Sequence, residues 1–77
     1  MKLSELKIGE KGKVISINNV EPSLKRRMLD MGITKNVLVT IKKIAPLSDP
    51  ISIELRGYEL CLRKSDLNNI EVTKLWK

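Results

Sequence analysis

Apolar and polar residues alternate along much of this chain, and in one stretch the apolar ones recur at helical spacing instead. Val14, Ile15 and Ile17, within Lys13 to Asn18, predict a first strand whose alternation is imperfect. Val37, Val39 and Ile41 alternate with Leu38, Thr40 and Lys42 in a second. Ile51, Ile53 and Leu55 alternate with Ser52, Glu54 and Arg56 in a third, and Tyr58, Leu60 and Leu62 with Glu59, Cys61 and Arg63 in a fourth. Ile70 and Val72 mark a fifth. Period-two alternation of this kind puts one set of side chains on each face of a strand.

The break in that pattern lies between the first two strands. Leu24, Met28 and Met31 recur at i, i+4 and i+7, with Leu29 beside them. They predict one short amphipathic helix over residues 24–33, opened by Glu21-Pro22-Ser23 and stopped by Gly32. Proline is harmless in a first helical turn, where its missing N–H has no partner to lose. Glycine suits the left-handed position that ends many helices. Lys25 and Arg26 fall on the wet face, with Arg27 nearer the edge of the apolar stripe.

The remaining segments read as connections. Leu3, Leu6 and Ile8 suggest a single helical turn or loop that lids the core, followed by Gly9 and Gly12 as punctuation. Lys35-Asn36 is a turn, Pro46-Leu47-Ser48-Asp49-Pro50 a loop, Arg56-Gly57 a tight hairpin turn and Ser65-Asp66-Leu67 a short helical turn. Five short strands in so few residues point to a mainly β fold, a small barrel, because a flat sheet would leave an apolar face and two edges uncovered. The helical turn before the last strand favours an SH3-like barrel over an OB-fold.

Composition narrows the chemistry. Seventy-seven residues support one domain, read as spanning 1–77. There is no histidine and only one cysteine, Cys61, so neither an intrachain disulfide nor a Cys/His zinc site is available. The carboxylates are scattered, so no metal or cofactor site is expected. No pairing for general acid/base work or thiolate activation is visible either, and there is no glycine-rich phosphate loop. An enzyme is not expected. Cys61 reads as a small residue tucked under the N-terminal segment or the helix. No secretory signal or membrane-spanning run is visible, which makes the cytosol the default compartment.

The net charge of +6 favours an acidic partner: nucleic acid, anionic lipid or an acidic protein surface. Lys42, Arg56 and Arg63 fall on the outer faces of adjoining strands, as an anion-binding stripe or as ordinary solvation. A small basic nucleic-acid-binding barrel is one reading. Against it, aromatic residues number only Tyr58 and Trp76, and neither makes a stacking platform.

Segments in a particular order complete the picture: Arg27-Met28-Leu29-Asp30-Met31-Gly32-Ile33, then Ala45-Pro46-Leu47-Ser48-Asp49-Pro50-Ile51, then Arg56 through Arg63, then Ile70-Glu71-Val72. In that order and spacing the chain resembles the FeoA family, the small cytosolic accessory component of bacterial ferrous iron uptake. The likeness runs from near Leu6 to Gly9 over nearly the whole chain. It departs at Asn36 and Ser48, turn positions where the family usually has glycine. The module is also similar to the SH3-like domain of metal-dependent repressors, so a detached metal-sensing domain is a further alternative, opposed by the poverty of ligands.

The resemblance implies a non-enzymatic protein that binds the cytosolic, GTPase-containing region of a FeoB-type permease, as a monomer or weak homo-oligomer. The expected docking face is the helix. Lys25 and Arg26 supply a basic edge, and Arg27 either joins it or lays its methylenes along the barrel and pairs with Asp30 or a carbonyl. Met28 and Met31 are core by periodicity, but methionine also suits a helix-in-groove contact. Leu47, bracketed by prolines, either fixes a wide turn or offers a preorganised apolar contact.

Overall fold

Each alternating stretch forms a strand: β1 (Lys11–Ile17), β2 (Leu38–Ile44), β3 (Ile51–Leu55), β4 (Tyr58–Leu62) and β5 (Ile70–Lys74). The computed structural model describes residues 1–75. Trp76, read as lacking a stacking role, lies outside them. A 3₁₀ turn covers Leu3–Glu5, helix α1 covers Pro22–Asp30, and the short α2 covers Lys64–Leu67. The strands form one antiparallel sheet in the order β4-β3-β2-β1-β5. This is the expected SH3-like barrel with a helix inserted after its first strand. Among the described residues, no ladder joins β4 to β5.

The inward phase of every strand meets in one aliphatic core. Val14, Val39, Ile41, Ile53 and Val72 fill its centre, and Leu3, Met28, Ile33 and Leu67 close it from the helices and loops. Two bulges bend the sheet. In β1, Val14 pairs with Val72 and Ser16 with Glu71, so Ile15 is an extra residue. In β2, Ile41 pairs with Ile53 and Lys43 with Ser52, leaving Lys42 extra. A bulge turns the strand locally and re-aims a side chain. That is why the alternation of β1 looked imperfect: Val14 and Ile17 are buried while Ile15 is exposed.

The turns match their sequence signals. Asn36 and Ser48 adopt φ of 73° and 67°, the left-handed region that asparagine tolerates best after glycine. Arg56 and Gly57 have φ of 50° and 85°, both positive as a two-residue type I′ hairpin requires. Gly12 differs from its reading as punctuation. It lies inside β1, where an added Cβ would meet Leu6 Cδ1 and Val72 Cβ at 3.0 Å. It is glycine because the N-terminal segment packs directly on the strand.

That N-terminal segment seals one side of the barrel. The Met1 carbonyl accepts the Val72 N–H at 2.7 Å, and Lys2 bridges Glu71, so the outer edge of β5 is covered where they meet. Ser4 Oγ bonds Asn68 Oδ1 just beyond α2. Glu10 and Lys74 form an ion pair at 2.6 Å. The Lys74 ammonium, and behind it the Lys7 N–H, hold the Glu10 carboxyl below the usual carboxylate range.

Candidate functional site

Helix α1 begins at Pro22, in the first helical position, after an extended Glu21. It ends in a Schellman arrangement. Gly32, with φ of 98°, donates its N–H to the Leu29 carbonyl, and Ile33 donates to the Met28 carbonyl, both at 3.0 Å. Met28 and Ile33, the pair such a cap brings together, are both fully buried. The β3–β4 hairpin braces the segment beyond: Arg56 Nη2 donates to Thr34 Oγ1 at 3.0 Å, and an added Cβ at Gly32 would meet Tyr58 Oη at 3.0 Å. The end of α1 is therefore fixed on both sides.

Successive helical residues are rotated by about 100°. The buried flank holds Met28 at 0% exposure, with Leu24 and Met31 half-buried against the core. Met28 therefore faces the core, and its side chain presents no exposed surface to the docking face expected of it. The same rotation divides the expected basic edge. Lys25, Arg26 and Arg27 are all exposed, but they point in three directions around α1. No ion pair joins Arg27 to Asp30 among the described residues, so of the alternatives for Arg27 this pairing is not the one taken.

On the flank next to Lys25, helix α1 and β1 line a common groove of about 300 Å³. Its apolar wall is Ile15 and Leu29, each 42% exposed, with Ile33 beneath. Lys25 on the helix and Lys35 in the following turn line the same groove, and no carboxylate does. The β1 bulge supplies Ile15; the rotation from Met28 to Leu29 supplies the opposite wall. An apolar slot edged by cations accepts an apolar side chain that carries carboxylates beside it.

Three of these residues escaped sequence reasoning. In the sequence Leu29 reads as lying beside the core stripe and Lys35 as part of a turn, which is where they are, but nothing in the pattern links either to a site. Ile15 was assigned to strand alternation, and the adjacent apolar pair Val14-Ile15 was the available sign of a bulge. Of the residues that were singled out, Lys25 lines the groove and Arg26 and Asp30 lie on the outer side of α1. Leu47 is 90% exposed, at the far end of the sheet from the helix, because β2 carries the chain from Leu38 beside β1 to Ile44 before the loop. The structure does not bring Leu47 and α1 together.

Cys61 is exposed on β4, not tucked under another element. The N-terminal segment packs on β1, β5 and α2 and does not cover Cys61, which lies beside the loop carrying Pro46 and Pro50. Among the described residues, no three His, Cys, Asp or Glu side chains converge to hold a metal, and no helix is long and apolar enough to cross a membrane.

The family model described as the FeoA domain matches residues 1–74. The "Fe(2+) transport protein A/Fe(2+) transporter FeoB fusion protein" of Porphyromonas gingivalis is 32% identical over 72 residues, which are 94% of this chain and 8% of that protein. The solution structure of a FeoA-like protein from Clostridium acetobutylicum is 42% identical, with a TM-score of 0.88 over 100% of this chain and 88% of that one. The FeoA protein of Chlorobium tepidum is 37% identical, with a TM-score of 0.92 over 99% of this chain and 71% of that one.

Proposed function

Because this chain belongs to the FeoA family, we propose that it is a non-enzymatic accessory protein of ferrous iron transport that works in the cytoplasm by binding the cytosolic, GTPase-containing region of a FeoB-type permease. The fusion of the two components in the Porphyromonas gingivalis protein supports an association. The observation that carries the reading is the groove between α1 and β1, with Ile15 and Leu29 as walls and Lys25 and Lys35 at its margin. It suits an acidic, apolar segment of the permease. Lys25 takes part directly; Arg26 and Asp30 border the docking surface from the outer side of α1, and Arg27 and Met31 border it less closely. Leu47 has no part in this groove.

The test is a binding titration of the parent and of Leu29→Glu and Lys25→Glu against the isolated cytosolic region of the permease. The parent binds; Leu29→Glu weakens binding by about tenfold or more, equivalent to roughly 1.4 kcal/mol. Equal affinity for parent and variants contradicts the docking site. Tight, steeply salt-dependent binding to oligonucleotides, with none to the permease region, favours a nucleic-acid role instead.

A further inference from the structure

The two terminal strands of the sheet are treated differently. The outer edge of β5 is met by Met1 and Lys2. The outer edge of β4 has no partner among the described residues. In the hairpin closed by Arg56-Gly57, Leu55 opposes Tyr58, followed by Ile53 with Leu60 and Ile51 with Leu62. A two-residue hairpin makes its first pair a hydrogen-bonded one, and the pairs then alternate. The N–H and C=O groups of Tyr58, Leu60 and Leu62 are thus directed to β3, and those of Glu59 and Cys61 are directed outward. Arg63 continues the extended backbone, with φ of −73° and ψ of 147°, before α2 begins. An unblocked edge of this kind is a template for another strand.

We infer that this edge pairs with the same edge of a second copy of this chain, in an antiparallel, two-fold register centred on Cys61. The register follows from chemistry. Outward-directed residues must oppose outward-directed residues across the new ladder. Centring on Glu59 would set Glu59 against the second copy's Glu59, a like-charge pair. Centring on Leu60 sets Glu59 against Cys61 and runs Arg63 against the hairpin turn at Gly57. Centring on Cys61 sets Glu59 against Arg63 twice, once on each side of the axis, and Leu60 against Leu62. This register alone makes two opposite-charge pairs, and all of its residues from 59 to 63 are already extended.

The outer face at this place is open. A depression of about 470 Å³ lies beside Cys61 and Glu59, walled by Pro46 and Pro50. The Ser52 hydroxyl donates to Glu59 Oε2 at 2.9 Å, which holds that carboxylate on the outer face of the edge strand. Asp49 Oδ1 accepts the Lys64 N–H at 2.9 Å, which fixes the chain just past Arg63. Five residues a side bury far less than the roughly 1,200–2,000 Å² of a stable interface, so the dimer is weak and forms at high concentration. It uses the sheet edge and leaves the α1–β1 groove free.

Sedimentation of the parent across concentrations up to the millimolar range tests this, together with capture of the exposed Cys61 thiols by a short bis-maleimide. The parent shows a concentration-dependent dimer that the reagent traps. Glu59→Lys and Arg63→Glu each place two like-charge pairs in the ladder and weaken association by about tenfold, while the double variant Glu59→Lys/Arg63→Glu restores it. Leu29→Glu leaves it unchanged. A parent that stays monomeric at every concentration overturns the inference. So does a dimer that ignores both single substitutions, or a double variant that does not recover although its thermal melt matches the parent. Occupation of the β4 edge by the permease region instead of a second copy also overturns it.

Discussion

The barrel is sealed on one side and left open on the other, with similar material. On the sealed side the 3₁₀ turn at Leu3–Glu5 and the short α2 press Leu3, Leu6 and Leu67 into the core, and Met1 and Lys2 pair with β5. On the open side α1 is longer, yet only Met28 of its side chains is fully buried. Leu29 and the bulged Ile15 stay in contact with water across a groove. Helix length does not decide the difference. The sealed side packs strand against backbone at Gly12, and the open side holds its elements apart by a bulge and a helix cap. The sealed side holds the fold together, and the open side is the one proposed for binding.

The comparison breaks most visibly if the sealed side is loosened. Leu67→Ala removes a fully buried side chain and lowers stability by about 2–5 kcal/mol in chemical denaturation. Met28→Ala, at the one fully buried side chain of α1, belongs to the same range. Gly12→Ala sets a Cβ 3.0 Å from Leu6 and Val72 and costs about 1–3 kcal/mol through overpacking. A neutral outcome would mean that the N-terminal segment is not seated on β1.

Substitutions on the open side act on binding instead. Leu29→Glu keeps a good helix former and changes stability by less than about 1 kcal/mol, while it removes an apolar wall from the groove. If its denaturation midpoint falls as far as that of Met28→Ala, the two flanks of α1 are not distinct.

The smallest effect concerns acid. Glu10 has a carboxyl pKa lowered first by Lys74 and then by the Lys7 N–H. A carboxylate with a lower pKa folded than unfolded contributes stability that is present above the unfolded value and is lost as pH falls through the folded one. Glu10→Gln therefore reduces stability slightly at neutral pH and flattens the acid limb of the stability profile, an effect kept small by solvent exposure. An unchanged acid limb would remove Glu10 from the account of the sealed side.

Much of the fold was readable in the residues. Period-two alternation located the strands, and Asn36 and Gly57 announced their turns because few residues accept positive φ, whereas the positive φ of Ser48 and Arg56 had no such signal in the residue type. The spacing of Leu24, Met28 and Met31 found the helix and its buried flank. What could not be read was three-dimensional neighbourhood. Val14-Ile15 betrays a bulge only once Val72 and Glu71 are known to pair across it. Leu29 becomes a wall only when β1 stands opposite. Cys61 was expected under cover because nothing in its own sequence says that β4 ends the sheet. Leu47 sits in a loop whose distance from α1 depends on the direction of β2.

The most direct test follows backbone amide shifts of the labelled protein as the cytosolic region of the permease is added. The account predicts that the largest changes fall together on Ile15, Lys25, Leu29 and Lys35, with the Leu47 loop and the 3₁₀ turn unmoved. Changes centred on that loop or on the sealed side, with the groove silent, would contradict it.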